Sequence, residues 1–208
     1  MARARVSGTE GYAETAEALV GQYESIAFAD VHRSVFHLIP KTPGLVLEIG
    51  AGTGRDAAGL AAMGHRVVAV EPTAALREHA IALHSSAAIE WTDDSLPGLR
   101  RVRARGQVFD LVMLTAVWMH LDRKQRQRAM PNVAGLVRDG GVMILSLRFG
   151  PVPPGRRMFA VSPEETTELA AAAGLQLVFR NDAQDSLLKR PGVSWTRLAF
   201  RRAGAATA

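Results

Sequence analysis

The chain has no cysteine, which excludes disulfides, thiolate nucleophiles and zinc–thiolate centres, and with them several enzyme classes. Long apolar runs are also missing. The start, Met1-Ala2-Arg3-Ala4-Arg5-Val6-Ser7-Gly8, has no apolar stretch of signal-peptide length, and no later segment approaches a membrane span; a cytoplasmic protein with no membrane partner is expected. Aromatic residues make up only 6%. None interleaves the two basic clusters, Arg100, Arg101, Arg103 and Arg105, then Arg123, Lys124, Arg126 and Arg128. Without rings to stack on bases, both clusters read mainly as solvated faces. No single sign of charge dominates: the net charge of +5 comes from basic residues dispersed along the chain, so a nucleic-acid partner is the less favoured reading and stays open. Internal repeats and low-complexity tracts are absent apart from the Ala-rich end, residues 203–208, which is expected to be disordered.

What remains is 208 residues, 48% of them hydrophobic, enough for one sizeable core and too few for two. From residue 45 onward β-branched or leucine-rich runs alternate with alanine-rich amphipathic stretches, the pattern of a parallel sheet wrapped by helices. Strands are expected at 45–49, 66–70, 88–91, 108–115, 142–147, 175–180 and 194–201, and helices at 55–63, 73–84, 122–137 and 163–173. Gly64, Gly140, Gly141 and Gly174 fall where helices should hand over to strands. No helical crossover separates the last two strands, so they should pair antiparallel. The expected fold is α/β, a Rossmann-like doubly wound sheet of about seven strands with the last antiparallel. Residues 1–44 form a helical region, with a possible capping box over Ser7 and Glu10; residues 45–202 form the core of the same single domain.

The segment Val46-Leu47-Glu48-Ile49-Gly50-Ala51-Gly52-Thr53-Gly54-Arg55 sets three glycines at alternate positions between a hydrophobic strand and a helix. Glycine is needed where the chain turns tightly and lets a ligand touch the main chain. A dinucleotide fingerprint would have its third small residue at Arg55, which is long and charged, so the nicotinamide reading weakens. Glu48 weakens it further: a carboxylate there repels a pyrophosphate but suits a ligand bearing an ammonium group, as S-adenosylmethionine does. Glu71, with Pro72 after it, closes the second strand where an acid receives ribose hydroxyls in nucleoside-binding α/β folds. An exposed strand-end carboxylate is an equal alternative for Glu71.

On these residues the chain resembles the class I S-adenosylmethionine-dependent methyltransferases, in particular small bacterial relatives acting on small molecules, over roughly residues 20 to 202. The resemblance implies that Glu48, Gly50, Ala51, Gly52, Thr53 and Gly54 lie under the methionine part and that Glu71 binds the ribose. It implies an adenine contact in the run Asp93, Asp94, Ser95 and Leu96, with Asp94 and Asp93 almost equal candidates. It sets Arg55 near the methionine carboxylate, although a solvated helix start explains Arg55 as well. It also places the N-terminal helical region over the carboxyl ends of the strands as a lid. Thr115, Ala116 and Val117, after the fourth strand, are candidates to line the methyl-transfer site, and an ordinary apolar strand end explains them as well.

Without cysteine, pyrimidine methylation through a thiolate adduct is excluded. The Asn/Asp-Pro-Pro-aromatic motif of amino-methylating DNA enzymes, the lysine-bearing tetrad of ribose methyltransferases and the paired glutamates of protein-arginine methyltransferases are also missing. A small-molecule O, N or S acceptor remains, with an RNA or protein methyltransferase, or a non-catalytic nucleotide-binding module, as alternatives. His120, just past the fourth strand, is a candidate general base, with Tyr23 in the N-terminal region competing for the role. A packing role for the segment around His120 is a serious alternative. The loop Arg148–Phe159 is a candidate wall or lid of the acceptor pocket, with an irregular surface excursion as the alternative. No metal site is expected, and the sequence specifies no oligomeric state.

Overall fold

A computed structural model describes residues 6–204. The first five residues and 205–208, most of the tail expected to be disordered, lie outside the described residues.

The core is one seven-stranded sheet: β1 (Leu45–Ile49), β2 (Arg66–Val70), β3 (Ile89–Thr92), β4 (Phe109–Leu114), β5 (Val137–Phe149), β6 (Leu175–Asp185) and β7 (Ser194–Arg202). Their order is β3-β2-β1-β4-β5-β7-β6. The first five are parallel, and β7 runs antiparallel to both β5 and β6. The alternation of apolar runs with helical stretches dictates this, because each parallel crossover must travel back along a face of the sheet. Helices α3 (Arg55–Ala62), α4 (Ala74–Leu83), α5 (Arg100–Arg103), α6 (Arg123–Ala134) and α7 (Pro163–Ala172) make those returns. Strand residues feed alternate faces. Leu47, Val68, Val112, Leu114 and Leu145 join Phe109, Trp118 and Met130 in one buried cluster, while Val46, Val67, Leu111, Met113 and Ile144 join Ala57 and Leu60 in the other.

The strand order reverses direction of travel between β1 and β4, and this is where open α/β sheets leave a crevice beyond the carboxyl ends of their strands. Before β1 lie α1 (Ala16–Glu24), α2 (Phe28–Val31) and a 3-10 turn at Phe36–Leu38. Several expectations need correction here. The capping box does not form: residues 6–15 are turns, Ser7 Oγ finds no partner, and Glu10 instead accepts from Gly8 N at 2.7 Å. Gly140 and Gly141 do not end a helix. α6 stops at Ala134, and the two glycines sit in an irregular stretch of β5 where its pairing with β4 slips, Gly140 at φ +71°. The second basic cluster is not wholly a solvated face, because Arg126 is buried, donating to Leu121 O at 2.6 Å and to Glu165 Oε2 at 2.8 Å.

Candidate active site

A cavity of about 670 Å³ occupies the crevice beyond β1, β2 and β4. Its wall includes the glycine loop, Glu71 to Thr73, Asp94 to Leu96, and Thr115 to Val117. Ser7 to Thr9, Tyr12, Tyr23, Ile26 and Asp30 close it from the N-terminal segment, and Gln184 to Leu188, Arg190, Trp195 and Arg197 from the β6–β7 side.

The loop holds its shape through the sheet: Gly50 N and Ala51 N both donate to Val70 O, at 2.8 and 2.9 Å. Gly50 and Gly52 adopt φ +74° and +58°, where a side chain is strained. They differ in why they are bare. A Cβ on Gly50 would collide with Val117 Cγ2, whereas one on Gly52 would meet nothing and would project into open space. Gly54 serves packing, since its Cβ would lie 2.7 Å from Trp91. Among the expected loop contacts, Glu48, Gly50, Ala51, Gly52, Thr53 and Arg55 line the cavity and Gly54 does not.

Three acids stand around this loop in different electrostatic settings. Glu48 is 2% exposed, and its Oε2 has no hydrogen-bond partner. Burial, reinforced by Asp56, pushes its carboxyl well above the usual carboxylate range against the opposing pull of Arg55. Glu71 is also buried; its Oε2 accepts from Gly52 N at 2.9 Å and its Oε1 from Thr73 N at 2.8 Å. Burial raises its carboxyl, and those two amides limit the rise. The exposed strand-end alternative for Glu71 is thereby removed. Burial alone would raise Asp56 too, but His32 and then Arg55 hold it below the usual carboxylate range. His32 Nε2 lies 2.8 Å from Asp56 Oδ2, and Arg55 Nε 2.7 Å from Oδ1. Arg55 also reaches Tyr23 O at 3.2 Å, so the solvated-helix-start reading of Arg55 gives way to a bridge between loop and N-terminal segment.

The two adjacent aspartates separate clearly. Asp94 lines the cavity, and its carboxylate also accepts from the amides of Ser95, Arg101 and Val102 at 2.7–3.0 Å. Asp93 is off the wall, 3.7 Å from Arg77. Ser95, Leu96, Pro72 and Thr115 are all on the wall. Ala116 sits at φ +60° and donates from its amide to Ser146 Oγ at 2.8 Å, which fixes the turn out of β4 at the cavity rim.

His120 and Tyr23 both line the cavity. His120 is 8% exposed, with Nδ1 2.8 Å from Arg157 O and Nε2 3.0 Å from Tyr12 Oη. A carbonyl only accepts, so Nδ1 carries the hydrogen and Nε2 is left to accept from the tyrosine. Burial, the largest influence, lowers the His120 pKa below 6.5; Arg157 O opposes this and Arg156 adds to it. Tyr12 escaped the sequence reading. The available signal was that both tyrosines of the chain fall within its first 23 residues, far from where its apolar core begins. The loop after β5 forms part of this corner: Phe159 N donates to Met119 O at 2.8 Å, and the Arg156 guanidinium stacks 3.9 Å above the Tyr12 ring.

Comparison with known proteins agrees with this architecture. Residues 46–141 match the family described as "Methyltransferase domain". An uncharacterized methyltransferase of Geobacillus kaustophilus (strain HTA426) is 26% identical over 137 residues, 66% of this chain and 61% of that protein. The chain thus spans less than two thirds of the length of this relative. Among solved structures, the 1,6-didemethyltoxoflavin-N1-methyltransferase of Burkholderia thailandensis, with 1,6-didemethyltoxoflavin and S-adenosylhomocysteine bound, superposes with a TM-score of 0.69 at 20% identity, covering 98% of this chain and 93% of that one. The [4+2]-cyclase SpnF superposes with a TM-score of 0.72 at 12% identity, covering 93% and 94%. At such identities the likeness to solved structures is one of fold. The match to a methyltransferase domain thus falls on the segment that carries the glycine loop and β1 to β4, and the likeness in fold extends over nearly the whole chain.

Proposed function

We propose that the chain binds S-adenosylmethionine along the loop Glu48–Gly54 and transfers its methyl group to an O, N or S atom of a small molecule held at the other end of the same cavity. The observation that carries this is the buried Glu48 Oε2 with no partner, beside a Gly52 whose missing side chain leaves open space. An orphaned buried carboxylate oxygen calls for a cationic or hydrogen-donating ligand group. The cofactor supplies an electrophilic methyl on a sulfonium and an ammonium group that suits Glu48. Glu71 and Asp94 keep free lone pairs for ribose hydroxyls and the adenine amino group, since each carboxylate offers about four acceptor positions. Arg55, tied to Asp56 and Tyr23 O, holds a positive charge at the loop where a methionine carboxylate would sit.

A small acceptor is supported by the cavity itself: the turns of residues 7–12 close over it, and neither basic cluster contributes to its wall. The 1,6-didemethyltoxoflavin bound in the Burkholderia thailandensis structure is a small molecule of this kind. Fold alone does not decide the reaction, as the cyclase with this architecture illustrates. The test is S-adenosylhomocysteine in a thermal melt, followed by methyl-labelled S-adenosylmethionine with the small-molecule fraction of a cell extract. Ligand at about 100 times its Kd should stabilise the fold by about 2.7 kcal/mol, roughly 5–10 °C in Tm for a chain of this length. Label should appear in a metabolite. An unshifted melt removes the cofactor assignment; a shifted melt with no labelled product leaves a binding module.

A further inference from the structure

Tyr12 comes from the N-terminal turns and His120 from the loop after β4, yet they meet at the cavity wall with 3.0 Å between Oη and Nε2. The proton arrangement follows from the third member. Arg157 O fixes the hydrogen on Nδ1, so Nε2 presents its lone pair to the Tyr12 hydroxyl. Both ring nitrogens are therefore occupied, and the lone pair of Nε2 is engaged by the tyrosine hydroxyl rather than free to the cavity.

We propose that Tyr12 and His120 form a two-residue proton relay serving acceptors that lose a proton when methylated, such as hydroxyls and neutral N–H groups. The inference rests on the methyl-transfer reading above. The acceptor heteroatom bonds to the methyl carbon as the carbon–sulfur bond breaks and its electron pair stays on sulfur. The acceptor's proton moves to Tyr12 Oη while the tyrosine's own proton moves to His120 Nε2. The resulting imidazolium, still donating from Nδ1 to Arg157 O, gives its proton to solvent once the product has left.

The surroundings suit this chemistry. Burial raises the Tyr12 pKa, helped by Tyr23 and Glu71 and opposed by Arg156 and Arg190. A lasting tyrosinate is thus disfavoured, and a relay needs none, because the hydroxyl hands on one proton as it takes another. Burial also keeps His120 unprotonated at neutral pH, ready to receive. Arg156 holds the tyrosine ring in place by stacking on it and by donating to Glu10 O at 3.3 Å and Thr15 Oγ1 at 2.7 Å. The catalytic hydroxyl is then delivered by a segment distant in sequence, whose docking completes the site.

The bland alternative is a latch, in which the Tyr12–His120 bond only fastens the N-terminal turns. Two variants separate the readings. Tyr12→Phe keeps the stacked ring and removes the hydroxyl; His120→Asn keeps a donor for Arg157 O and removes the proton sink. With an acceptor found by label transfer, each should lower kcat by roughly two to four powers of ten while S-adenosylhomocysteine affinity stays within about twofold. The wild-type rate should fall on acidification below pH 6.5, and that limb should vanish in His120→Asn. A Tyr12→Phe protein with wild-type kcat, or one that loses cofactor affinity in step with kcat, overturns the relay.

A readout independent of turnover is the ¹⁵N spectrum of the histidines, with His120→Asn used to assign its signal. The wild type should show a neutral His120 protonated on Nδ1 at pH 7, with an Nε2 resonance that shifts in Tyr12→Phe. An Nε2-protonated or charged ring overturns the relay whether or not the chain transfers methyl groups. The expected spectrum in a wild type that labels no acceptor overturns the methyl-transfer reading, and the relay with it.

Discussion

Glu48 illustrates how one residue can carry both a binding role and a pH signature. Its carboxyl is raised above its unfolded value, so the stability its protonated form lends is fully present below the unfolded pKa and is lost as pH rises through the folded one. An ammonium group brought to the orphaned oxygen reverses the shift and favours the carboxylate. Cofactor binding should therefore release protons from the protein and tighten as pH rises through the Glu48 pKa. Calorimetry in two buffers of different ionisation enthalpy measures this directly. Equal heats in both buffers, or the same pH dependence in Glu48→Gln, would remove Glu48 from the ammonium site. At this scale the sequence was readable where a residue type has few other reasons to be there. The glycines and Glu48 stood out for that reason, and the cavity wall includes most of them. Tyr12, His32, Asp56 and Arg197 did not, because a buried Asp56–His32 pair closing at 2.8 Å joins residues 24 apart, and no local pattern encodes such a distance. Arg197 belongs to the same hidden group. It donates to Val31 O at 2.6 Å, and burial lowers its pKa to about 10.

Among the elements, periodicity located all seven strands and the four longer core helices to within a few residues at most ends. The larger errors have local causes. β5 begins at Val137, five residues early, because Gly140 and Gly141 look like punctuation but let the strand bulge and continue. β6 extends to Asp185 because its outer residues are polar or exposed, so apolar alternation fades while main-chain pairing with β7 goes on through a second irregularity. Helices α6 and α7 are joined by a contact that no hydrophobic pattern reveals. Arg126 is 4% exposed and paired with Glu165, which retains 23%. Removing the acid strands a buried guanidinium, a loss of about 3 kcal/mol. Glu165→Ala should accordingly lower Tm by roughly 6–12 °C, as followed by circular dichroism. Replacing both partners with apolar residues of similar size should recover most of it. A loss within 1–2 °C for Glu165→Ala would mean that water, not Glu165, satisfies Arg126.

For the molecule as a whole, the order β3-β2-β1-β4-β5-β7-β6 fixes more than the place of the cavity. The C-terminal strand lies inside the sheet, between β5 and β6, and its residues Leu198, Ala199 and Phe200 are fully buried. During synthesis β6 leaves the ribosome before its only partner exists, and β5 meanwhile presents an open edge to other chains. The segment before β1 is in the same position, since Tyr12, Thr15 and Val31 emerge early but contact His120, Arg156 and Arg197, which are made much later. A chain stopped before Ser194 should therefore lose β6 along with β7 and collect as insoluble material, whereas one stopped after Arg202 should fold and melt like the intact protein. Sedimentation and thermal melts of the two truncations test this. From the completion of β5 until Arg202 has been added, this chain is an unfinished sheet with an adhesive inner edge, and self-association is most favoured in that interval.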